Sequence, residues 1–422
     1  MKKNGALIML TAVAALSFES CKKDLFDQQI YNEVITQTFP IDPIDANHLW
    51  SLSTRRTVTI RVNANIEHME SVMVLTDDPT VQTNAQIMAE TKHPEEGTSY
   101  TLLFSAPEAQ TTFYAAIKTA DNYYAVKSFT TSANTVDFTE QSVTKVVNEL
   151  AYQSFTYCFE ENFPLPGDYD FNDCVIRLGV RPGDNQNQIK MEVTLAAVGA
   201  KMPIAAAVRI KNYHYDEIES VEIKEGTTFD DGYPLTPRYI PNTSTYQSGG
   251  NNEPVIRLFE DAMWCMVKED PSDNGVLKRY LVNVSRKSDD DNKIVSPVTR
   301  TFVITFKKTA TTLLNNLLTD YLDPFIITNY NNTYWETHTY QDQMAQVLYN
   351  YPDQNKLHMT WALAIPTGTF RWPLEGLIIG NYKDGLLSGA FREYGHSFGQ
   401  WAADQNTSKD WFYHPAENEV YK

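Results

Sequence analysis

The side chains with the clearest chemical potential lie in one short acidic segment. Asp168, Asp170 and Asn172 occupy alternate positions, and Asp173 follows directly. Alternating oxygen-bearing side chains on a tight loop suit a hard cation such as Ca²⁺, which prefers oxygen ligands. The predicted Ca²⁺ ligands are Asp168, Asp170 and Asn172, and the residues that complete or orient the ligand shell are Asp173, Glu160 and Glu161.

Two other interpretations of this segment stay open. The alternation resembles the first half of a helix–loop–helix calcium loop, but Asp173 stands where that loop needs Gly, and Gly179 stands where it needs Glu. In an Asx-turn cluster, the same side chains would instead cap amides of their own loop. Two carboxylates at positions 168 and 170 could also serve as acid and base in a glycosidase, although nothing in the sequence sets their separation.

A second candidate pair is Glu336 and His338, which are two residues apart. On a strand, residues at this spacing share one face. The pair could bind a metal ion, or it could be a hydrogen-bonded structural couple.

Residues Gly395–Gly399 match the G-x-S-x-G pattern of serine hydrolases, with Ser397 at the position of the nucleophile. Those enzymes place the serine on a strand-to-helix elbow, with the acid and the histidine farther along the chain. Here residues 390–394 predict a helix, and only 23 residues follow Gly399. We therefore predict no catalytic residue and expect Ser397 to be a structural residue in a helix.

The N-terminus carries a targeting signal. Lys2 and Lys3 precede an apolar run of 14 residues, 5–18, which is shorter than the ~20 residues that span a bilayer. Cys21 follows this run, as in bacterial lipoprotein signals, where the thiol is acylated. We predict a signal peptide at 1–20, lipidation of Cys21 and a tether at 21–50; an ordinary secretory signal with a chance Cys is the alternative.

Charge and cysteine content narrow the class of protein. With 35 Lys and Arg against 53 Asp and Glu, the net charge is −18, which disfavours nucleic acid as a partner. The cysteines that follow Cys21 are Cys158, Cys174 and Cys265, an odd number. They are either small buried hydrophobic residues or include a Cys158–Cys174 bridge.

Short runs with period-2 alternation predict a mainly β protein. Five such runs within residues 51–148 predict an immunoglobulin-like β-sandwich, and those within residues 150–415 predict a larger β-rich domain of sandwich or jelly-roll type. Two late segments, 310–322 and 388–403, predict helices. The predicted strands are 57–62, 71–75, 99–104, 113–117, 123–129, 153–160, 174–180, 189–195, 218–224 and 301–307.

Several motifs resemble the LruC domain, an uncharacterised family in lipoproteins of Bacteroidetes. The most specific is Gly-Asp-Tyr-Asp-Phe-Asn-Asp at 167–173, placed between two strands. Matching blocks follow in the same order at 322–326, 335–338, 361–366, 370–375 and 398–412. The resemblance covers about residues 150–415, and it implies a lipoprotein anchored in the outer membrane, facing the periplasm or the surface, without an established activity.

The expected function is therefore that of a non-catalytic surface lipoprotein, active in adhesion or in binding a glycan or protein. The alternative is an enzyme that uses the carboxylates of the 168–173 loop on surface polysaccharide. Late aromatic residues could form a glycan-stacking surface or could close the core. They are Trp361, Phe370, Trp372, Tyr382, Phe391, Trp401, Trp411, Phe412 and Tyr413.

Overall fold

The computed structural model describes residues 44–422, apart from 93, 95–98, 141, 227–245, 249–251, 268–271, 274–275, 309–319, 331–332, 341–343, 345–347, 349 and 351–356. The predicted signal peptide, Cys21, residues 21–43 of the tether and most of the predicted helix 310–322 lie outside the described residues. Within the described part, no helix is both long enough and apolar enough to cross a bilayer.

The N-terminal strands form two facing sheets. The burial of β1 alternates, because Val58, Ile60 and Val62 point into the core while their neighbours are more exposed. The smaller sheet has the order β4-β1-β7 and the larger one β8-β6-β5-β2-β3-β9. Both contribute to one apolar core. The bounds are β1 Ser53–Val62, β2 Met69–Leu75, β3 Gln86–Lys92, β4 Ser99–Pro107, β5 Thr112–Thr119, β6 Tyr123–Thr130, β7 Thr135–Phe138, β8 Thr144–Lys145 and β9 Ala151–Tyr152.

A second, larger pair of sheets follows, with the orders β14-β21-β12-β11-β10-β24 and β15-β16-β13-β22-β23. The strands of this pair are β10 Ser154–Phe159, β11 Cys174–Pro182, β12 Gln188–Ala197, β13 Ile204–Ile210, β14 Ile218–Gly226, β15 Tyr246–Ser248, β16 Pro254–Phe259, β21 Val298–Phe306, β22 Leu322–Tyr330, β23 Thr333–His338 and β24 Ala362–Ile365. Four separate two-stranded sheets pair β17 Ser272–Asp273 with β18 Val276–Leu277, β19 Leu281–Val282 with β20 Asn292–Lys293, β25 Asn381–Lys383 with β26 Leu386–Ser388, and β27 Arg392–Glu393 with β28 His396–Ser397.

The core of this second sandwich lies between its two sheets. Strand β12 alternates, with Ile189, Met191, Val193 and Leu195 buried. Strand β13 is buried at every position, because one of its faces joins the main core and the other packs in a smaller cluster with β16 and β22. A strand that is covered on both faces carries a continuous apolar sequence rather than an alternating one. The prediction of a mainly β fold is confirmed.

Residues 44–50, the end of the predicted tether, pack against the C-terminal region. Trp50 is buried, and its ring centroid lies 5.5 Å from that of Trp401. The His48 ring nitrogen Nε2 lies 2.9 Å from the Trp401 carbonyl oxygen, and the Asp45 amide donates to the Ala402 carbonyl at 3.2 Å. The part of the tether that lies in the described region is therefore fixed to the folded body.

Helices are short in the described residues. Those whose bounds lie within the described residues are α1 Ala262–Met266 and α2 Phe398–Ala403, with single 3-10 turns at Ala120–Asn122, Tyr215–Glu217 and Trp411–Tyr413. Met344 and Leu348 are also helical. The predicted helix 388–403 is wrong over its first ten residues, which end β26 and form the β27–β28 hairpin. Gly389 and Gly395 take φ values of +88° and +85°, a left-handed backbone that interrupts a helix. Leu322, the end of the other predicted helix, opens strand β22.

The described cysteines, Cys158, Cys174 and Cys265, are buried and form no disulfide. Strands β10 and β11 are paired with Cys158 opposite Val175 and Phe159 opposite Cys174. Because adjacent positions of a strand face opposite sides of the sheet, Cys158 and Cys174 point away from each other. The Cys158–Cys174 bridge does not form. Cys158 and Cys174 pack as small buried groups, whereas the sulfur of Cys265 accepts a hydrogen bond from the Arg300 guanidinium at 3.7 Å.

Candidate metal centre

The acidic loop connects the hairpin strands β10 and β11 and is held by two aromatic residues. Tyr169 and Phe171 are almost completely buried and both have left-handed backbones, with φ values of 56° and 53°. A bulky residue in this conformation costs of the order of 1–3 kcal/mol, which the burial of its side chain offsets. The alternation of aromatic and acidic residues thus turns the rings into the core and leaves the carboxylates together.

Glu160 organises the interior of this loop. Its Oε2 accepts the amide of Tyr169 at 3.2 Å and its Oε1 accepts the amide of Phe171 at 2.7 Å, although the side chain is fully buried. A Cβ at Gly167 would lie 2.0 Å from Glu160 Oε2. Only glycine lets the loop approach this carboxylate so closely.

Three of the predicted ligands converge. One carboxylate oxygen each from Glu160, Asp168 and Asp170 lie within 4.8 Å of one another. Glu160 and Asp170 are buried, whereas Asp168 is exposed at the mouth of the cluster. Such an arrangement of oxygens, open to solvent at one side, is compatible with a hard divalent cation.

The other predicted ligands lie beside this cluster and have different partners. Asp173 Oδ2 accepts the amide of Glu161 at 2.7 Å, and Glu161 Oε2 accepts the amide of Met202 at 3.1 Å. Asn172 donates through Nδ2 to the Pro373 carbonyl at 3.2 Å. Its buried Oδ1 has no hydrogen-bond donor among the described residues and faces Gly199, where a Cβ would lie 1.9 Å away.

Sequence reasoning did not identify the segment that closes the site from the opposite side. The amide of Gly376 donates to Asp170 Oδ2 at 2.9 Å across a separation of 206 residues. Glu375 lies near enough that the charge of Asp168 raises its pKa. Glu375 belongs to one of the blocks that resemble the LruC domain, but nothing in its spacing connects it with the acidic loop.

Burial and mutual repulsion act on the whole group of carboxyls. Burial first, and then the charge of Asp168, raise the pKa of Glu160 well above its usual range, and the same two causes raise that of Asp170. Burial raises the pKa of Asp173 in the same direction, and the charge of Glu161 adds to it. Burial also raises the pKa values of Glu161 and Glu375 to about 7. Without a cation, the fold therefore favours protonated carboxyls here.

The nearby basic residues compensate these charges only in part. The charge of Arg279 opposes the rise in the pKa of Glu161 without cancelling it. The Arg279 guanidinium donates to both oxygens of Asp261, at 2.6 and 2.9 Å. Lys201 lowers the pKa of Glu375 in the same way. A cation bound among the carboxylates would remove the repulsion that remains.

Features of the Asx-turn interpretation are present in the same loop. Asp170 Oδ1 accepts the amide of Asn172 at 3.2 Å, and its Oδ2 accepts that of Gly376. Both oxygens of Asp170 thus bind backbone amides, which leaves them lone pairs for a cation but makes a proton-transfer role unfavourable. Asp168 provides the exposed carboxylate of the group.

Glu336 and His338 form part of a buried ion-pair network. His338 Nδ1 lies 2.8 Å from Asp323 Oδ2, and its Nε2 lies 2.9 Å from Glu336 Oε2. The two carboxylates outweigh the opposing effect of burial and raise the pKa of His338. With a carboxylate at each ring nitrogen, the histidine has the geometry of an imidazolium and offers no free lone pair to a metal.

Ser397 caps helix α2 rather than lying within it. Its buried Oγ accepts the amide of Gln400 at 3.2 Å and donates to Gln400 Oε1 at 2.9 Å. The preceding residue, His396, belongs to a two-residue strand of the β27–β28 hairpin. The Ser397 hydroxyl therefore both donates and accepts a hydrogen bond within the first turn of helix α2, which it caps.

Replacement of Ser397 by Ala is expected to lower the free energy of unfolding by about 1 kcal/mol, because an amide in the first turn loses its cap. Urea denaturation measures this, with exposed Ser388→Ala as the control that changes stability little. A fluorophosphonate probe should label neither protein. Labelling of the wild type that the Ser397→Ala substitution abolishes would contradict the capping role.

Most of the late aromatic residues close the core. Their rings pack together, as where Trp411 lies 5.1 Å from Phe398 and 5.0 Å from Phe391, centroid to centroid. Tyr413 is 53% exposed and is the main exception among those predicted. The buried members leave no extended stacking surface; they are Trp361, Phe370, Trp372, Phe391, Trp401, Trp411 and Phe412.

Residues 185–412, more than half of the chain, match the family described as "Domain of unknown function (DUF4842)". The chain belongs to this family, whose matched region begins after the acidic loop. No curated protein matches the sequence.

Among solved structures, the chain is similar to a crystal structure of a "putative lipoprotein" from Bacteroides ovatus. The identity is 15%, the TM-score is 0.54, and the alignment covers 84% of this chain and 99% of the other. At this identity the similarity establishes a shared fold over most of the chain.

Proposed function

We propose that this protein is a non-catalytic lipoprotein, anchored in the outer membrane through Cys21, that binds a surface glycan or protein and holds Ca²⁺ in its acidic loop. The observation that carries the Ca²⁺ site is the convergence of the Glu160, Asp168 and Asp170 oxygens within 4.8 Å. Support for the anchor comes from the N-terminal sequence, the resemblance to LruC-domain lipoproteins and the fold shared with the Bacteroides protein.

The Ca²⁺ ion would have a structural role in this proposal. Asp170 joins the β10–β11 hairpin to the segment at Gly376, and Glu160 joins the end of β10 to the loop that follows. A cation bound to both carboxylates would hold these three parts of the chain in one arrangement. An extracellular module can use a site with a Kd of about 10⁻⁴–10⁻³ M, because external calcium is abundant.

The carboxylate geometry favours binding over glycosidase chemistry. Retaining glycosidases separate their two carboxyls by ~5 Å across a substrate cleft, and inverting ones by more. A separation within 4.8 Å does not distinguish this loop from a retaining pair, but both oxygens of Glu160 and of Asp170 accept backbone amides, and Glu160 is fully buried. We therefore propose no acid–base pair in this loop.

Millimolar Ca²⁺ is expected to raise the melting temperature of the full chain in detergent, and a chelator should lower it. At ten times Kd, binding contributes RT ln 11, or about 1.4 kcal/mol, to the free energy of unfolding. Asp168→Asn should abolish the response, and because Asp168 is exposed, the metal-free fold should remain stable. Asp170→Ala should abolish it too, at a cost to basal stability.

The matched control is Asp384→Asn. Asp384 is exposed, has a φ of 51° and precedes Gly385 in the β25–β26 turn, a position that accepts Asn equally well. This variant should keep the full Ca²⁺ response. A melting temperature of the wild type that does not change across the titration would assign the loop to the Asx-turn interpretation.

A further inference from the structure

A second group of ligating side chains lies at the C-terminal end of the fold, apart from the acidic loop. The β27–β28 hairpin places Glu393 opposite His396. The 3-10 turn Trp411–Tyr413 is flanked by Asp410 and His414, which are four residues apart. The spacing of these residues in the sequence does not predict a metal site, because only the fold brings the two histidines together.

The donor atoms of three of these residues converge. The His396 Nδ1 lies 2.7 Å from Asp410 Oδ2, and the His414 Nε2 lies 3.5 Å from the same oxygen. One donor atom each from His396, Asp410 and His414 lie within 4.8 Å of one another. Ligands about 2.1 Å from a tetrahedral Zn²⁺ are ~3.4 Å apart, so shifts of about 1 Å suffice.

Glu393 supplies the outer partner that a ligating histidine needs. Its Oε2 lies 3.3 Å from His414 Nδ1. A proton on Nδ1 that is donated to Glu393 leaves the lone pair on Nε2, the nitrogen that faces Asp410. Carboxylate–histidine pairs of this kind orient most histidines that bind zinc.

We propose that His396, His414 and Asp410 bind Zn²⁺, with Glu393 as the residue that positions His414. Imidazole nitrogens suit Zn²⁺ and do not suit Ca²⁺, so this site differs in its metal from the acidic loop. Three protein ligands leave the fourth position of the metal to water. Bound Zn²⁺ would connect the hairpin to the segment that follows the 3-10 turn.

The surroundings combine a rigid base with movable ligands. Trp411 and Phe398 are fully buried, and the Gly395 amide donates to Gln400 Oε1 at 2.7 Å, which fixes the hairpin to helix α2. The imidazoles themselves are partly exposed and are stacked, with centroids 4.1 Å apart and planes at 18°. Since a metal must lie near the plane of each ring, binding should tilt the two rings out of this stack.

Isothermal titration of the tag-free full chain in detergent with Zn²⁺ tests the proposal. We expect one saturable event that Ca²⁺ does not compete with, and Co²⁺ should give the visible absorption of a nitrogen-ligated ion. His396→Asn and His414→Asn should abolish both signals. Glu393→Gln, which keeps all three ligands, should weaken binding by about 10- to 100-fold.

Two controls separate this site from others. His68→Asn removes an exposed histidine with a φ of 55°, where Asn is well tolerated, and should leave Zn²⁺ binding unchanged. Asp168→Asn should also leave it unchanged, so that failure here and failure of the proposed Ca²⁺ site are distinguishable. Absence of saturable binding, or equal affinity in the wild type and His414→Asn, would show that the cluster is an ordinary ion-pair group.

Discussion

Replacement of Cys21 by Ala is expected to transfer the protein from the membrane fraction to the soluble fraction. Cys21 follows the apolar run at 5–18, and acylation of its thiol would supply more than one buried chain. Each CH₂ group of an acyl chain contributes about 0.8 kcal/mol to the free energy of membrane binding, so a protein with two or more chains stays attached. A protein without acyl chains should be released. Fractionation of cells followed by immunoblotting measures the change.

Cys265→Ala is the matched control, because it removes a buried cysteine that forms no disulfide and leaves the N-terminal signal intact. This variant should remain in the membrane fraction. If Cys21→Ala stays membrane-bound to the same extent as the wild type, the anchor lies elsewhere and the N-terminus is an ordinary secretory signal.

The metal-free protein should become less stable as the pH rises from about 4.5 to about 7. Glu161 and Glu375 have pKa values near 7 in the folded protein, raised from 4.5 chiefly by burial. Between these values the unfolded chain has released protons that the folded protein retains. Stability therefore falls with rising pH, by up to about 1.4 kcal/mol for each pKa unit of difference, less for the partly exposed Glu375.

Calcium should reverse this trend if it binds the acidic loop, because a cation favours the ionised carboxylates. Urea denaturation at several pH values measures how the free energy of unfolding changes with pH, once in metal-free buffer and once in millimolar Ca²⁺. Glu375→Gln, which cannot ionise, should flatten the metal-free dependence of stability on pH, because the charge of Asp168 no longer acts on a titrating group at this position. Glu67→Gln, outside the acidic cluster, is the control. A metal-free stability that rises across this range would contradict the proton retention inferred for the cluster.

Local patterns in the sequence are sufficient to predict the class of fold and to locate the acidic loop. Period-2 alternation in segments such as 189–195 predicts strands correctly, because alternate residues of a half-buried strand must be apolar. The apolar run before Cys21 is also a local signal, since its 14 residues predict a signal peptide rather than a membrane-spanning helix. These signals are local, so they do not depend on which distant segments meet.

Helix α2 shows where local signals fail. Residues 388–397 contain helix-compatible side chains, yet the two glycines at 389 and 395 take left-handed backbones and the chain forms a hairpin. Helix propensity is worth less than 1 kcal/mol per residue, so close backbone contacts at Gly389 and the packing of Phe391 and Phe398 outweigh it. Of the predicted helix 388–403, only residues 398–403, which follow the Ser397 cap, are helical.

Which polar groups meet depends on how separate segments of the chain pack together. Gly376 donates its amide to Asp170 from 206 residues farther along the chain, and Glu375 lies beside it. His396 of the β27–β28 hairpin contacts Asp410, which in turn contacts His414. Such contacts produce no periodic pattern in the sequence, because each depends on one meeting of two separate segments. The same holds for Asp173 and Glu161, whose roles as amide acceptors follow from the pairing of β10 with β11 and the approach of the Met202 backbone.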